Sequence, residues 1–147
     1  MKKLLLLLLV LLCMTFLGCK KLTNSDASKR YETVKEYILD DENWNGLYTY
    51  LIYDEVHVHQ SNTEDDGFVK PIIKNIFSLD SNDYNVTGAY EDNGYILIVK
   101  LKNKVFGNIV IDEYKVTAGD KIRIEFSYLS GDNNKTYDFY IVFNKGL

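Results

Sequence analysis

Lys121-Ile122-Arg123-Ile124-Glu125-Phe126-Ser127-Tyr128 is the stretch that decides the fold class. Apolar and polar residues alternate along it without a break. Ile122, Ile124, Phe126 and Tyr128 therefore face one way, and Lys121, Arg123, Glu125 and Ser127 face water, the period of a half-buried strand. Further on, Tyr137, Phe139, Ile141 and Phe143 repeat the row. Between the two lies Gly131-Asp132-Asn133-Asn134, a run of residues that turn the chain cheaply.

Outward from this pair the same period holds. Leu47 to Val58, Ile72 to Leu79, Tyr84 to Tyr90, Tyr95 to Lys102 and Phe106 to Val116 are rich in β-branched or aromatic residues and read as strands. Asp92-Asn93-Gly94 fits a tight hairpin, because Asn and Gly tolerate positive φ. Asn103-Lys104, Ala118-Gly119-Asp120 and Asp80-Ser81-Asn82-Asp83 make further short joins. Pro71, the single proline, stands at a strand start, where no ladder donor is lost. Short joins force neighbouring strands to run antiparallel. The expected fold class is mainly β: an antiparallel meander of about seven or eight strands, closed into a small barrel or left as a curved open sheet.

One short helix precedes the strands. From Ser28 to about Asp40 the period is 3.6, with Tyr31, Val34, Ile38 and Leu39 on one stripe and Asp26 or Ser28 available as the cap. Ahead of it, Lys20 to Ser28 is polar and without apolar period, and reads as a tether of at most about 30 Å.

The start of the chain has a different character. Lys2 and Lys3 lead into an apolar stretch, Leu4 to Leu17, broken only by Thr15. At 14 residues it falls short of the roughly 20 that span a bilayer as a helix, and it matches the charged start and apolar core of a secretory signal. Phe16-Leu17-Gly18-Cys19 resembles the lipobox of bacterial lipoproteins, with Phe16 and Leu17 where that family more often has Leu and a small residue. The resemblance implies cleavage before Cys19 and acylation of Cys19 on sulfur, with a further acyl chain often added to the new N-terminus. Two chains suffice for stable anchoring. It divides the chain into a cleaved signal (1–18), a lipidated cysteine with its tether (19–28) and one β-rich domain (29–147). It places the protein outside the cytoplasm on the cell membrane or outer membrane. Lys20, rather than the Asp that holds some lipoproteins at the inner membrane, leans toward the outer one.

The mature chain would carry 15 basic residues against 21 acidic once Lys2 and Lys3 leave, a net charge of −6. Such a surface excludes the basic footprint of a nucleic-acid binder and argues against adhesion to anionic headgroups by charge. With Cys13 removed and Cys19 acylated, no thiol remains to form a disulfide, so a monomer held by packing is expected.

Trp44-Asn45-Gly46-Leu47-Tyr48 resembles the opening of small lipocalin-like (calycin) barrels, where a Trp plugs one end and a Gly-x-aromatic starts the first strand. Lipocalins proper place the Gly first; here the Trp comes first. The resemblance implies a barrel and a small apolar ligand inside it.

Chemistry-bearing motifs are few. Gly-x-Ser-x-Gly, a phosphate-cradling glycine loop and a nucleophilic cysteine are all missing, so neither enzyme activity nor a cofactor is expected. His57 and His59 share a strand face at i and i+2 and could grip one metal ion, with Asp54, Glu55, Glu64, Asp65 and Asp66 near in sequence. The twelve tyrosines offer apolar area with a polar tip. Two functions remain in view. In one, Tyr48, Tyr50, Phe126, Tyr128, Tyr137 and Phe139 line a pocket for a small apolar ligand. In the other, the same aromatics fill the core, and the domain is a structural or protein-interaction element of the envelope.

Overall fold

The computed structural model describes residues 20–45, 48–53, 58–62, 69–144 and 146–147. The signal, Cys19 and His57 lie outside the described residues. Helix α1 (Asn24–Leu39) is followed by a short 3₁₀ turn (Asp41–Trp44) and by strands β1 (Tyr48–Tyr53) and β2 (Val58–Asn62). Helix α2 (Val69–Phe77) leads, past a second 3₁₀ turn (Ser81–Asp83), to β3 (Tyr84–Glu91), β4 (Gly94–Leu101), β5 (Val105–Phe106), β6 (Ile109–Val110), β7 (Glu113–Ala118), β8 (Ile122–Ser130) and β9 (Thr136–Phe143). No helix among the described residues is long and apolar enough to cross a membrane.

All pairings are antiparallel, and the strands form one sheet in the order β2-β1-β9-β8-β7-β4-β3, with the β5–β6 hairpin joined through β6 to β8. The sheet is open, not the closed barrel of the calycin resemblance: β2 and β3 stand at opposite ends of the order, and among the described residues they do not pair. From β3 onward the expected meander holds apart from the β5–β6 hairpin, which leaves it so that β4 pairs with β7. The β1–β2 hairpin, however, returns to the far side of β9, so the first strand lies against the last.

The two alternating rows meet residue for residue. Ile122 pairs with Phe143, Ile124 with Ile141, Phe126 with Phe139 and Tyr128 with Tyr137. All but the half-buried Tyr137 are buried. Their faces join Tyr114, Val116, Leu97 and Val99 in the apolar surface on which α1 and α2 lie. Each such side chain withdrawn from water stabilises the fold by about 1.5–3 kcal/mol before entropy is counted. The opposite face carries the polar partners, among them the cross-strand pair Lys115–Glu125 (3.2 Å) and Arg123 set 5.3 Å from the centre of the Tyr140 ring.

Four expectations are corrected. Leu47 to Val58 is not one strand, because β1 ends at Tyr53 and Val58, paired with it, begins the antiparallel β2. Ile72 to Leu79 is not a strand. Val69, Ile73, Ile76 and Phe77 are buried at i, i+4, i+7 and i+8, one stripe of α2. Pro71 sits in its first turn, where the missing N–H breaks no helical bond. Phe106 to Val116 is not one strand either, because Gly107, at φ +59°, turns β5 back onto β6. Residues 20–28 are part of the fold and not a free tether. Lys21 bridges Ala89, Leu22 N–H donates to the Gly88 carbonyl and Tyr90 N–H to the Lys20 carbonyl. Helix α1 begins at Asn24 with Thr23 as its cap, the Thr23 hydroxyl accepting from Asp26 N–H at 3.1 Å.

The 3₁₀ turn locks α1 to α2. Asp41 receives both Lys70 (2.9 Å) and Lys74 (2.5 Å), and Lys74 also donates to the Leu39 carbonyl at the end of α1. Trp44 is buried beside it, its indole N–H donating to the Ile38 carbonyl at 2.8 Å.

Candidate functional site

Five of the six aromatics named as ligand-lining residues come together, in one stacked row running across three strands. Tyr50 on β1 stacks on Phe139 of β9 (ring centres 6.4 Å apart), and Phe139 stacks on Phe126 of β8 at 4.7 Å. Phe126 tilts onto Tyr128 at 6.2 Å, and Tyr128 stacks on Tyr137 at 5.4 Å. The row exists because β1, β9 and β8 are neighbours in register, Tyr50 against Ile141, Ile52 against Phe139 and Phe139 against Phe126. Its rings spend their faces on one another. Burial raises the Tyr128 hydroxyl pKa above its ordinary value, and Tyr137 adds to the shift.

Tyr48 does not join this row. It packs against Trp44 (5.0 Å) and Phe143 (5.9 Å), and Trp44 in turn meets Phe143 edge-on at 5.0 Å. The Tyr48 side chain is completely buried and its hydroxyl has no hydrogen-bond partner among the described residues. The Trp plug implied by the calycin resemblance is thus a corner of the helix–sheet core.

A third tyrosine cluster lies under α1. The Tyr31 and Tyr114 hydroxyls share a buried hydrogen bond of 2.5 Å, and Tyr84 donates to Glu32 at 2.8 Å. Burial is the largest cause raising all three phenol pKa values above 10. Asp41 moves the other way, to about 2, because Lys74 and then Lys70 stabilise its charge. Each of these shifts deepens the protonation state that the group already has at neutral pH, so none of these groups is tuned toward proton transfer.

Described residues line at least two open surface grooves. One, of about 520 Å³, is lined by Ile98, Tyr114, Phe126 and Ser127 between the Lys115–Glu125 pair and Glu113, where β7 parts from β8. Another, of about 470 Å³, is lined by Arg30, Thr33, Tyr90, Gly94, Tyr95, Ala118, Gly119 and Leu147. There the Arg30 guanidinium sits between two rings, 5.2 Å from Tyr90 and 4.7 Å from Tyr95, and donates to the Tyr90 hydroxyl at 3.4 Å. Sequence reading missed this second groove. Its signal was the placement of Tyr90 and Tyr95 symmetrically about Asp92-Asn93, which makes them a cross-strand pair, with one of the chain's two arginines on helix α1.

The metal candidates are not brought together by any described geometry. His59 holds a position on β2 opposite Ile52, and His57 lies outside the described residues. Among the described residues, no three His, Cys, Asp or Glu side chains gather at metal-binding range. Comparison of the chain with protein-family models, with curated proteins and with solved structures finds no match.

Proposed function

We propose that the chain is a bacterial lipoprotein of the cell envelope, anchored by acyl chains on Cys19, whose domain is a non-catalytic interaction element with a filled core. Anchoring is supported by the sequence alone: Lys2 and Lys3, the short apolar stretch and Gly18-Cys19. The filled core is supported by one observation above the others. Tyr50, Phe139, Phe126, Tyr128 and Tyr137 stack on one another. Rings already satisfied in this way offer a ligand little uncovered face, and entry of an apolar guest would have to part them at a loss of about 0.5–1.5 kcal/mol per ring pair beyond the area lost. Binding then takes place on the outside of the domain.

A second reading keeps a small aromatic or apolar ligand, and it rests on the groove at Ile98, Tyr114 and Phe126, whose volume suits one. Thermal unfolding of the acylated protein in detergent micelles, screened with fatty acids, porphyrins and divalent metal ions, separates the two. The filled-core reading expects no compound to raise the Tm. A saturable rise that Phe126→Ala abolishes would replace it with the second reading.

A further inference from the structure

Residues 20–22 lay the start of the described chain along one edge of the sheet. They run antiparallel along the outer edge of β3, with Leu22 at Gly88, Lys21 at Ala89 and Lys20 at Tyr90. The course is toward the β3–β4 turn at Asp92-Asn93. The Cα of a residue joined to the N-terminal side of Lys20 lies within one chain step, about 3.8 Å, of the Lys20 Cα. Gly88 makes the attachment possible. A Cβ there would lie 2.6 Å from the Ile96 carbonyl oxygen and 2.9 Å from the Leu22 side chain.

The end of the sheet that this course approaches holds the β3–β4 turn, the β7–β8 turn at Gly119-Asp120, and Gly146, which lies against Gly119. It also holds the groove of Arg30, Tyr90 and Tyr95. Although the chain is acidic as a whole, the stretch from Lys20 to Arg30 carries Lys20, Lys21, Lys29 and Arg30 against Asp26 alone. Lys20 lies over the Tyr90 ring, its ammonium 6.0 Å from the centre. Glu91, Asp92 and Asp120 share this end, so net charge does not draw it to a membrane; the acyl chains do that. What the groove adds is a specific contact. A guanidinium has five N–H donors. Arg30 gives one to Tyr90 and is held in place by two rings, leaving donors of the geometry that matches a phosphate. Paired tyrosines, apolar with a polar tip, suit the boundary between headgroups and water.

We propose that the β3–β4 end of the domain rests on the membrane that carries the anchor, with the Arg30–Tyr90–Tyr95 groove seated on a phospholipid headgroup phosphate. This rests on the acylation of Cys19. The opposite end, with the β8–β9 turn, points away; strands of eight residues separate the two ends by about 25 Å.

The test uses the full acylated chain in vesicles of phosphatidylethanolamine and phosphatidylglycerol that contain a little headgroup spin-labelled lipid. Asn93→Cys and Lys135→Cys each supply a single free thiol for a fluorophore, both at exposed turns on opposite ends. The expected result is several-fold stronger quenching at Asn93 than at Lys135. Arg30→Gln should lower the Asn93 quenching about two-fold or more while flotation and Trp44 fluorescence stay unchanged. Equal quenching of the two labels on a chain that floats with the vesicles would overturn the orientation and leave the anchor standing. A chain that does not float would remove the anchor and the orientation together. Unchanged quenching in Arg30→Gln would remove the headgroup contact. Loss of the Asn93 signal on adding inorganic phosphate would make the groove a free-anion site and overturn the headgroup assignment.

Discussion

The hydrogen bond between Tyr31 of α1 and Tyr114 of β7 is the sharpest place to test how helix and sheet are joined. Both rings are at most 1% exposed, and the hydroxyls face one another at 2.5 Å. Tyr31→Phe removes one hydroxyl and leaves the buried Tyr114 hydroxyl without its partner. An orphaned buried polar group costs about 1–3 kcal/mol, so Tyr31→Phe and Tyr114→Phe should each destabilise by about 2 kcal/mol. The double variant removes both partners at once and should cost no more than either single change, giving a coupling of about 2 kcal/mol, within the range seen for contacting pairs. Alkali supplies a second readout. Folding holds the two phenols protonated, whereas the unfolded chain releases their protons near pH 10. Above that pH the unfolded state binds fewer protons and stability falls; below it the contribution is intact. The double variant should therefore lose less stability between pH 10 and alkaline unfolding than the wild type. Trp44, the chain's single tryptophan, is buried in the same core and reports unfolding in urea. Additive single and double effects, or an alkaline profile unchanged in the double variant, would refute the reasoning.

Tyr48→Phe deletes a buried hydroxyl that has no partner among the described residues, so it should be neutral or stabilising by up to about 1 kcal/mol; a loss in the urea midpoint would show that the hydroxyl is bonded. Asp41→Asn should lower the Tm at neutral pH by removing the carboxylate that Lys70 and Lys74 share. Because the folded Asp41 pKa is depressed to about 2 from 3.8, the gap from wild type should persist above about pH 4 and close as pH falls toward 2; a gap constant down to pH 2 would contradict the ion-pair account. Gly88→Ala would place a Cβ 2.6 Å from the Ile96 carbonyl oxygen of β4 and 2.9 Å from Leu22, so it should both lower the Tm and open residues 20–23 to proteolysis; a Tm and protection equal to wild type would count against the close packing of β3 with β4 and the docked N-terminal segment.

The parts of this fold that could be read from the sequence are those where one physical pattern acts alone. Ile122 to Tyr128 and Tyr137 to Phe143 are half-buried strands with a strict period of two, and they pair as the alternation requires. Helix α2 was misread because Ile72, Ile73 and Ile76 are β-branched, which weighs toward strand, while its segment of nine residues gives a 3.6 period little length in which to show. The break at Gly107 hid inside an apolar run. The placement of β1 beside β9 is a long-range choice that no local pattern encodes. Alternation, a local property, groups the candidate aromatics by face, but it does not separate Tyr48, which packs with Trp44 and Phe143, from the other five. Which of these rings meet depends on the register of three strands, a long-range property that stacks Tyr50 on Phe139 and Phe139 on Phe126. The Arg30 groove escaped notice because its parts lie far apart in the chain and meet only when α1 crosses the β3–β4 hairpin.

The central claim is that Cys19 carries the chain's membrane anchor, and intact-mass spectrometry of the protein extracted from the membrane tests it most directly. The account predicts a chain that begins at Cys19 and bears two or three acyl chains, with Cys19→Ser accumulating as the unacylated full-length precursor. A mature chain that begins elsewhere, or one that begins at Cys19 without acyl mass, would contradict it.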